Sequence, residues 1–432
     1  MFWNINPHMS PQCTEIRCCR SCGSCGLKFV IGLGEQFVST FSEISTTDGF
    51  KVPLELVFCD KRSGGCGLVQ LKHTVPPDLL YHQYWYRSGM NKTMMKALAD
   101  IAEQIERRIS LEPEDLVLDI GCNDGTLLRS YSKPSLFKVG FEPSGNLLPL
   151  AKQGTSKIIN DFFNLSSFQK EFSGKKAKVI TTIAMFYDLE DPNRFVSELA
   201  QILERGGLWV IQMNYLPLML LRNSFDNICH EHLEYYSLSS LQVLLERHGL
   251  VVFDVELNNV NGGSFRVYAG HRGTIASKMA DKANQHIQAL RKMEQGLQLE
   301  EIDTYRKFAS RIAVLKNKLL DFVRQERGLG KKIYVYGAST KGNTLLQFYG
   351  LDADLIGKAV DKNTEKWGKK TVGTHIPIIS EEQARFEKPD YFLILPWHFL
   401  EEFKERERAY LQEGGKFIVP LPEFQIITGK DL

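Results

Sequence analysis

Apolar and polar positions change rhythm four times along the chain. Residues 1–75 carry short β-branched runs, such as 54–58, and no helical period, as expected of a small unit with little core of its own. From about residue 91 to 269, segments with a three-to-four-residue apolar period (94–109, 127–131, 194–203) alternate with short apolar runs (116–120, 138–142, 179–185, 207–214). That alternation predicts a doubly wound α/β unit. Residues 275–327 contain no Pro, and Phe308, Ile312, Leu315, Leu319 and Phe322 recur at helical steps until Gly328, which predicts one or two bridging helices. A second α/β unit begins at Lys332, with strand 333–336, a Gly-containing turn, helix 343–349 and strands 355–361 and 391–395. The predicted division is therefore 1–75, 76–275, 276–330 and 331–432, with no internal repeat.

Composition narrows the class. At about 150 residues per domain, 432 residues suggest three folded units, and 43% hydrophobic with 24% charged residues is globular. Lys and Arg total 53 against 51 Asp and Glu, a net +2 with no basic stripe, which argues against nucleic acid as a partner. The longest apolar stretch, 207–221, is interrupted by Gln212, Asn214 and Pro217 and falls short of the ~20 residues of a membrane helix. The first ten residues lack a cationic start and an apolar core, so no secretory signal is apparent and a cytoplasmic location is expected; the chain is expected to act as a monomer. Nine cysteines, seven of them between Cys13 and Cys66, point to metal binding.

Four motifs carry the candidate chemistry. Cys19 and Cys22 stand at knuckle spacing, and Cys59 and Cys66 follow six residues apart; four thiolates around one tetrahedral Zn²⁺ leave no open position, so the zinc is expected to be structural. Cys18 or Cys25 can replace Cys19 or Cys22 as ligand. The second motif is VLDIGCNDGTLL (117–128), a strand entering Asp119 and Gly121, then Asn123, Asp124 and Gly125 opening a helix. Glu142 ends the next strand where a ribose-binding acid belongs. Asp119 before the loop opposes a pyrophosphate, and Asn123 replaces the second Gly of a dinucleotide fingerprint. S-adenosylmethionine, with an ammonium, a sulfonium and no phosphate, fits better. Cys122, Pro143, Asp161, Phe162, Phe163 and Met185 complete the expected cofactor shell, although Phe162 and Phe163 read equally well as core.

Third, CHEHLEYYSL (229–238) gathers His230, Glu231 and His232, a general base with a carboxylate to tune it; the spacing is not that of a zinc hydrolase. Tyr84 and Tyr86 precede the nucleoside unit and can donate to a developing oxyanion. Fourth, IYVYGASTKGNTLL (333–346) is a strand, turn and helix able to cradle an anion, with Ser339, Lys341, Asn343 and Thr344 at the turn and Asp361 ending the next strand. It is not a Walker A loop, because Lys341 precedes Gly342.

In this order, CRSCGS (19–24), LGEQFVSTF (33–41), CGLVQL (66–71), TVPPDLLY (74–81), DIGCNDGTLL (119–128), GFEPSGN (140–146), HEHLEYYSL (230–238), NGGSFRVY (261–268) and GASTKGNTLL (337–346) resemble the bacterial nucleotide-sugar C-methyltransferases over nearly the whole chain. The resemblance implies an amino-terminal zinc module, a central class I S-adenosylmethionine methyltransferase domain and a carboxy-terminal Rossmann-like domain gripping a nucleotide-sugar. It places the base at His232 beside Glu231, a sugar contact at Tyr86 slightly ahead of Tyr84, and Asn261, Gly263, Ser264 and Arg266 near the sugar or diphosphate. This chain departs from the pattern in having Cys229 where a Tyr often stands, Asn261 for a His, and a six-residue gap in the second Cys pair. The expected reaction removes the hydrogen at C3, acidified by a 4-keto group of a 6-deoxy sugar, and methylates that carbon. The competing readings are an NAD-dependent sugar oxidoreductase, an O- or N-methyltransferase, and a metal-stabilised nucleotide sensor.

Overall fold

The structure, a computed structural model, describes residues 13–38, 41–43, 48–81, 84–274 and 280–432. The leader reading at residues 1–10 and the boundary at 275/276 lie outside the described residues.

The central unit is a seven-stranded sheet in the order Leu250–Asn258, Ser264–His271, Leu203–Asn214, Ala177–Ile183, Leu116–Ile120, Phe137–Phe141, Lys157–Ile159. The last five strands of that order pair in parallel and the first two join antiparallel. Strand order reverses beside Leu116–Ile120, so the crevice at its carboxyl end is where an open α/β sheet binds ligands. This strand is buried along its whole length, which is why it reads as an apolar run in which Asp119 is the single acid. Helix Lys92–Arg108 starts where the Asn91 side chain accepts from Thr93 N and Met94 N, and it buries Met94, Leu98, Ile101, Ala102 and Ile105 on one face.

The amino-terminal unit is an antiparallel sheet of Leu27–Phe37, Lys51–Cys59 and Val69–Leu71. Its fourth strand, Glu234–Tyr235, comes from the central domain, and Leu71 N donates to Leu233 O at 2.8 Å. The bridge consists of two helices, Ala280–Gly296 and Ile302–Gly328. Glu294 of the first accepts from Tyr215 Oη at 2.7 Å and from Leu238 N and Ser239 N, two unpaired first-turn amides of a central-domain helix. The second lays Tyr305, Phe308, Ile312, Leu315, Leu319 and Val323 into one apolar cluster shared by the amino-terminal sheet and the carboxy-terminal unit. Phe58 and Tyr305 rings meet at 4.8 Å. The small metal module thus gains the core that its own length denies it.

The carboxy-terminal sheet runs Ile378–Ile379, Lys358–Val360, Ile333–Tyr336, Tyr391–Ile394, Lys416–Val419, Gln425–Ile427, parallel except at the last pair. Its own switch point lies at the end of Ile333–Tyr336, where helix Thr340–Tyr349 begins. Among the described residues no helix is long and apolar enough to cross a membrane.

Candidate active site

The metal module brings its four expected thiols together. The Sγ atoms of Cys19, Cys22, Cys59 and Cys66 lie within 4.8 Å of one another, with Cys19–Cys66 at 3.6 Å and Cys22–Cys59 at 3.4 Å. Tetrahedral zinc with Zn–S bonds of about 2.3 Å fits sulfurs at such separations, so the donor set suits the metal. The turn Lys61–Ser63, capped by Asp60, takes up the residues between Cys59 and Cys66, which makes the six-residue gap workable. Cys18 and Cys25 are bonded to each other as a disulfide and are not alternative ligands.

At the central switch point Gly121, Asn123 and Gly125 all have positive φ. Asn tolerates this region better than other side-chain residues, which is how it replaces a glycine there. A side chain at Gly121 would press on Met185 Cγ at 3.1 Å, and one at Gly125 would stand 2.9 Å from Ala151 O. Glu142 accepts from Asn123 N at 2.8 Å and Ser144 N at 2.9 Å, and each oxygen keeps a lone pair for a ribose hydroxyl. Asp119 accepts from Thr181 Oγ1 at 2.6 Å, and burial pushes its carboxyl up to about 7 despite that bond. A buried acid so poised gains from a ligand cation beside it, which fits the ammonium of S-adenosylmethionine.

A strap at 84–91 lies across this loop. Tyr84 N donates to Asn146 Oδ1, Asn146 Nδ2 donates to Tyr84 O, Asn123 Nδ2 to Tyr86 O, Ser88 N to Asn123 Oδ1, and Gly89 N to Asp124 Oδ2 at 2.7 Å. Other expected cofactor residues are otherwise engaged. Cys122 is buried in the apolar cluster against Gly140, where a Cβ would stand 2.5 Å from its Sγ. Asp161 accepts from Asn164 Nδ2 and Ser167 Oγ at the start of a helix. Phe163 packs edge-on between Phe141 and Phe195 as core, whereas Phe162 is 37% exposed and meets Tyr81. Pro143 follows Glu142 in the turn, its carbonyl accepting from Asn160 Nδ2.

The HEH segment separates its two histidines. His230 Nε2 bonds Val52 O at 3.0 Å in the amino-terminal sheet, and burial lowers it to about 4; it is a satisfied structural residue, turned away from the pocket. His232 lies edge-on to Tyr187 at 4.4 Å and bonds Asn227 O through Nδ1 at 2.8 Å. A carbonyl only accepts, so Nδ1 carries the hydrogen and Nε2 is the basic atom. Burial, and then the charge of Lys341, lower His232 to about 3, so the ring is neutral at physiological pH. Burial likewise raises Glu231 to about 7 and raises Asp188, Asp226 and Cys229.

Tyr84 joins this cluster: its ring is 5.9 Å from Tyr81, and burial and then the Glu231 charge raise its hydroxyl. Tyr86 lies by Asp124 and also acts on Tyr187, the ring beside His232. Buried side-chain atoms without a partner include Asp188 Oδ1, Asn214 Oδ1, Asp226 Oδ1, Asn343 Oδ1 and His398 Nδ1; Asn214 lines the cavity at His232, and Asp188 and Asp226 act on Lys341. Such atoms call for a polar ligand. Asp188, Asp226, Asn227 and His398 escaped sequence reasoning because no spacing links them.

Several expected substrate contacts are taken up elsewhere. Arg266 pairs with Asp100 at 2.8 Å and donates to Gln212 Oε1, fastening helix Lys92–Arg108 to the sheet. Ser264 Oγ donates to Val260 O, and Ser339 caps helix Thr340–Tyr349 by accepting from Gly342 N. Asp361 accepts from Lys366 Nζ and Asn363 N. Asn261 and Gly263 flank Gly262, which packs under Trp397 and leaves no room for a side chain. Trp397 Nε1 in turn donates to Asp226, so this turn supports the pocket from behind. Thr344 is buried within its helix. Lys341, expected at the nucleotide, instead reaches across to the central domain and donates to Asn227 Oδ1 at 2.5 Å.

A doubly wound sheet with an acid-lined, strapped loop at its switch point, joined to a cysteine module and a second α/β unit, defines an S-adenosylmethionine-dependent methyltransferase. Family models agree: a zinc binding domain matches residues 19–81, a methyltransferase domain 86–255, and a C-methyltransferase C-terminal domain 259–422. The chain is 32% identical over 387 residues to the C-methyltransferase NovU of Streptomyces niveus, covering 88% of each protein, and it belongs to this C-methyltransferase family. Among solved structures it is similar to a putative methyltransferase complexed with the Trm112 activator of Haloferax volcanii (18% identity, 43% of this chain and 95% of that one, TM-score 0.35). It is also similar to magnesium protoporphyrin IX methyltransferase of Synechocystis (14%, 41% and 79%, TM-score 0.32).

Proposed function

We propose that the protein methylates the carbon next to the ketone, C3, of a nucleotide-activated 4-keto-6-deoxy sugar, giving a branched deoxysugar. The observation that carries this reading is His232: a neutral imidazole, its Nδ1–H held by the Asn227 carbonyl, lining a small cavity with Tyr187, Asn214 and Glu234 and within reach of the Lys341 charge from the carboxy-terminal unit. An unactivated sugar carbon does not accept a methyl group, so C-methylation needs a base that removes a hydrogen made acidic by a neighbouring carbonyl. Glu231 supports the imidazolium that forms, and Tyr84 contacts the sugar.

Asp119, Gly121, Asn123, Glu142 and Met185 hold the methyl donor, with the strap over it. Bound S-adenosylmethionine supplies the electrophilic methyl group. Cys19, Cys22, Cys59 and Cys66 hold a structural zinc. The NovU relationship supports attack from carbon over oxygen or nitrogen.

Mass spectrometry of products from a panel of nucleoside diphosphate 4-keto sugars tests the substrate class; no methylated product from any of them sinks it. His232→Asn keeps the volume and removes the basic nitrogen. It should slow hydrogen exchange at C3 with deuterated solvent by ~10²–10⁴-fold while calorimetry shows S-adenosylmethionine still bound. Exchange at the wild-type rate would assign the base to another residue.

A further inference from the structure

Lys341 is contributed by the carboxy-terminal unit, two residues into helix Thr340–Tyr349, yet its ammonium lies among side chains of the central domain. Asn227 joins it to the base: the Asn227 side-chain oxygen accepts from Lys341 Nζ at 2.5 Å, and its backbone carbonyl accepts from His232 Nδ1 at 2.8 Å. Asn227 is itself fixed, because its Oδ1 also accepts from Asn214 Nδ2 at 2.6 Å and its Nδ2 donates to Ser224 O. Base and ammonium are therefore held in register by a single residue that is 3% exposed.

The surroundings decide what the ammonium faces. Burial lowers Lys341, whereas Asp226, Cys229, Glu231 and Asp188 act against that to hold its charge, and Asp226 keeps one oxygen without a partner at 3% exposure. Lys341 is the cation that acts on Asp188, Asp226, Cys229 and Glu231. One buried cation matches the single negative charge of an enolate oxygen better than the multiple permanent charges of a diphosphate. Among the described residues Asn227 Oδ1 is the one hydrogen-bond partner of the ammonium, which leaves two of its three N–H groups for a ligand oxygen.

Building on the C-methyltransferase reading above, we propose that Lys341 is a catalytic residue that donates to the ketone oxygen of the substrate and stabilises its enolate, and that it does not grip the nucleotide diphosphate. In the step concerned the C3–H bond breaks and its proton goes to His232 Nε2. The C–H electron pair becomes the C3=C4 bond, and the C4=O π pair moves onto oxygen. That oxygen accepts from Lys341 Nζ–H, so the negative charge formed on the substrate and the positive charge formed on His232 are both answered within the protein. Preorganised donors aimed at developing charge are among the largest contributors to such steps.

The test uses full-length protein, with thymidine and uridine diphosphate 4-keto-6-deoxyhexoses as probes. Hydrogen exchange at C3 is followed in deuterated solvent without methyl donor, and methyl transfer is followed with it. Lys341→Met should lower both the exchange rate and kcat by ~10²–10³-fold, as expected for loss of one oxyanion donor. KM should stay within about threefold, because the interaction is made chiefly in the transition state. Lys341→Arg should recover part of the loss, and calorimetric affinity for S-adenosylmethionine should be unchanged. In Lys341→Ala, added primary alkylamines should raise the exchange rate, a rescue that a merely structural lysine would not show.

A rise in KM with kcat and exchange unchanged would overturn the assignment and return Lys341 to the nucleotide. Exchange at the wild-type rate in Lys341→Met, or no rescue in a folded Lys341→Ala, would also overturn it. Failure of the wild type to exchange any C3 hydrogen would instead sink the substrate reading on which the proposal rests.

Discussion

Glu231 and His232 are neighbours in sequence, yet burial drives them in opposite directions, and the pH profile should show it. An isolated His would lend the enzyme an acid limb near 6.5, but His232 is lowered to about 3 and stays neutral throughout the working range. Glu231 is raised from 4.5 to about 7, so its carboxylate, and with it the support proposed above for the imidazolium, is present only above that value. kcat/KM should therefore rise as pH passes upward through about 7. Glu231→Gln should remove that limb and lower the plateau roughly tenfold or more, since a charge-assisted contact becomes a neutral one. A limb unchanged in Glu231→Gln would assign it to another group, with Asp119 the first candidate. At this scale the sequence was legible where chemistry is contiguous: HEH, the DIGCNDG loop and the cysteine pairs announce themselves. It was illegible where a role depends on direction. His230 and His232 look alike on paper, and only the pairing of Glu234–Tyr235 with the amino-terminal sheet turns one toward Val52 and the other toward the pocket.

Strands and helices were more readable than the contacts they make. The apolar run at 116–120 is the strand observed, and helix Lys92–Arg108 lies within two residues of its expected bounds, because burial on a fixed period leaves a local signature. The antiparallel pair Leu250–Asn258 and Ser264–His271 left a weaker mark, and Arg266 reads as an anion ligand until the helix carrying Asp100 is placed beside it. Close packing between elements leaves no periodic trace at all. Gly140 on strand Phe137–Phe141 meets Cys122 so tightly that Gly140→Ala should destabilise the protein by about 1–3 kcal/mol and loosen the donor loop. Urea unfolding and calorimetry with S-adenosylmethionine would measure both effects. Adding Cys122→Ala should recover part of the loss by removing the sulfur that the new methyl strikes, whereas strictly additive penalties would show that the two sites do not touch.

Across the whole molecule the zinc module and the HEH segment are mechanically joined. Residues 69–70 pair with Glu234–Tyr235, and His232 stands just before that strand. Metal analysis should give about one zinc per chain, and Cys59→Ser with Cys66→Ser should abolish it, because thiolate ligation and folding of such a module are one process. Chelation should lower the Tm and also depress C3 exchange while S-adenosylmethionine binding persists, since the donor loop lies on a different sheet. Exchange that survives complete zinc removal would uncouple the module from the base. Helix Thr340–Tyr349, far along the chain from both, reaches the same cluster through Lys341 and Asn227. Ribosomal synthesis therefore delivers the cysteine pairs first, the donor loop next and Lys341 last, and a nascent chain has no finished chamber in which to seat an acceptor.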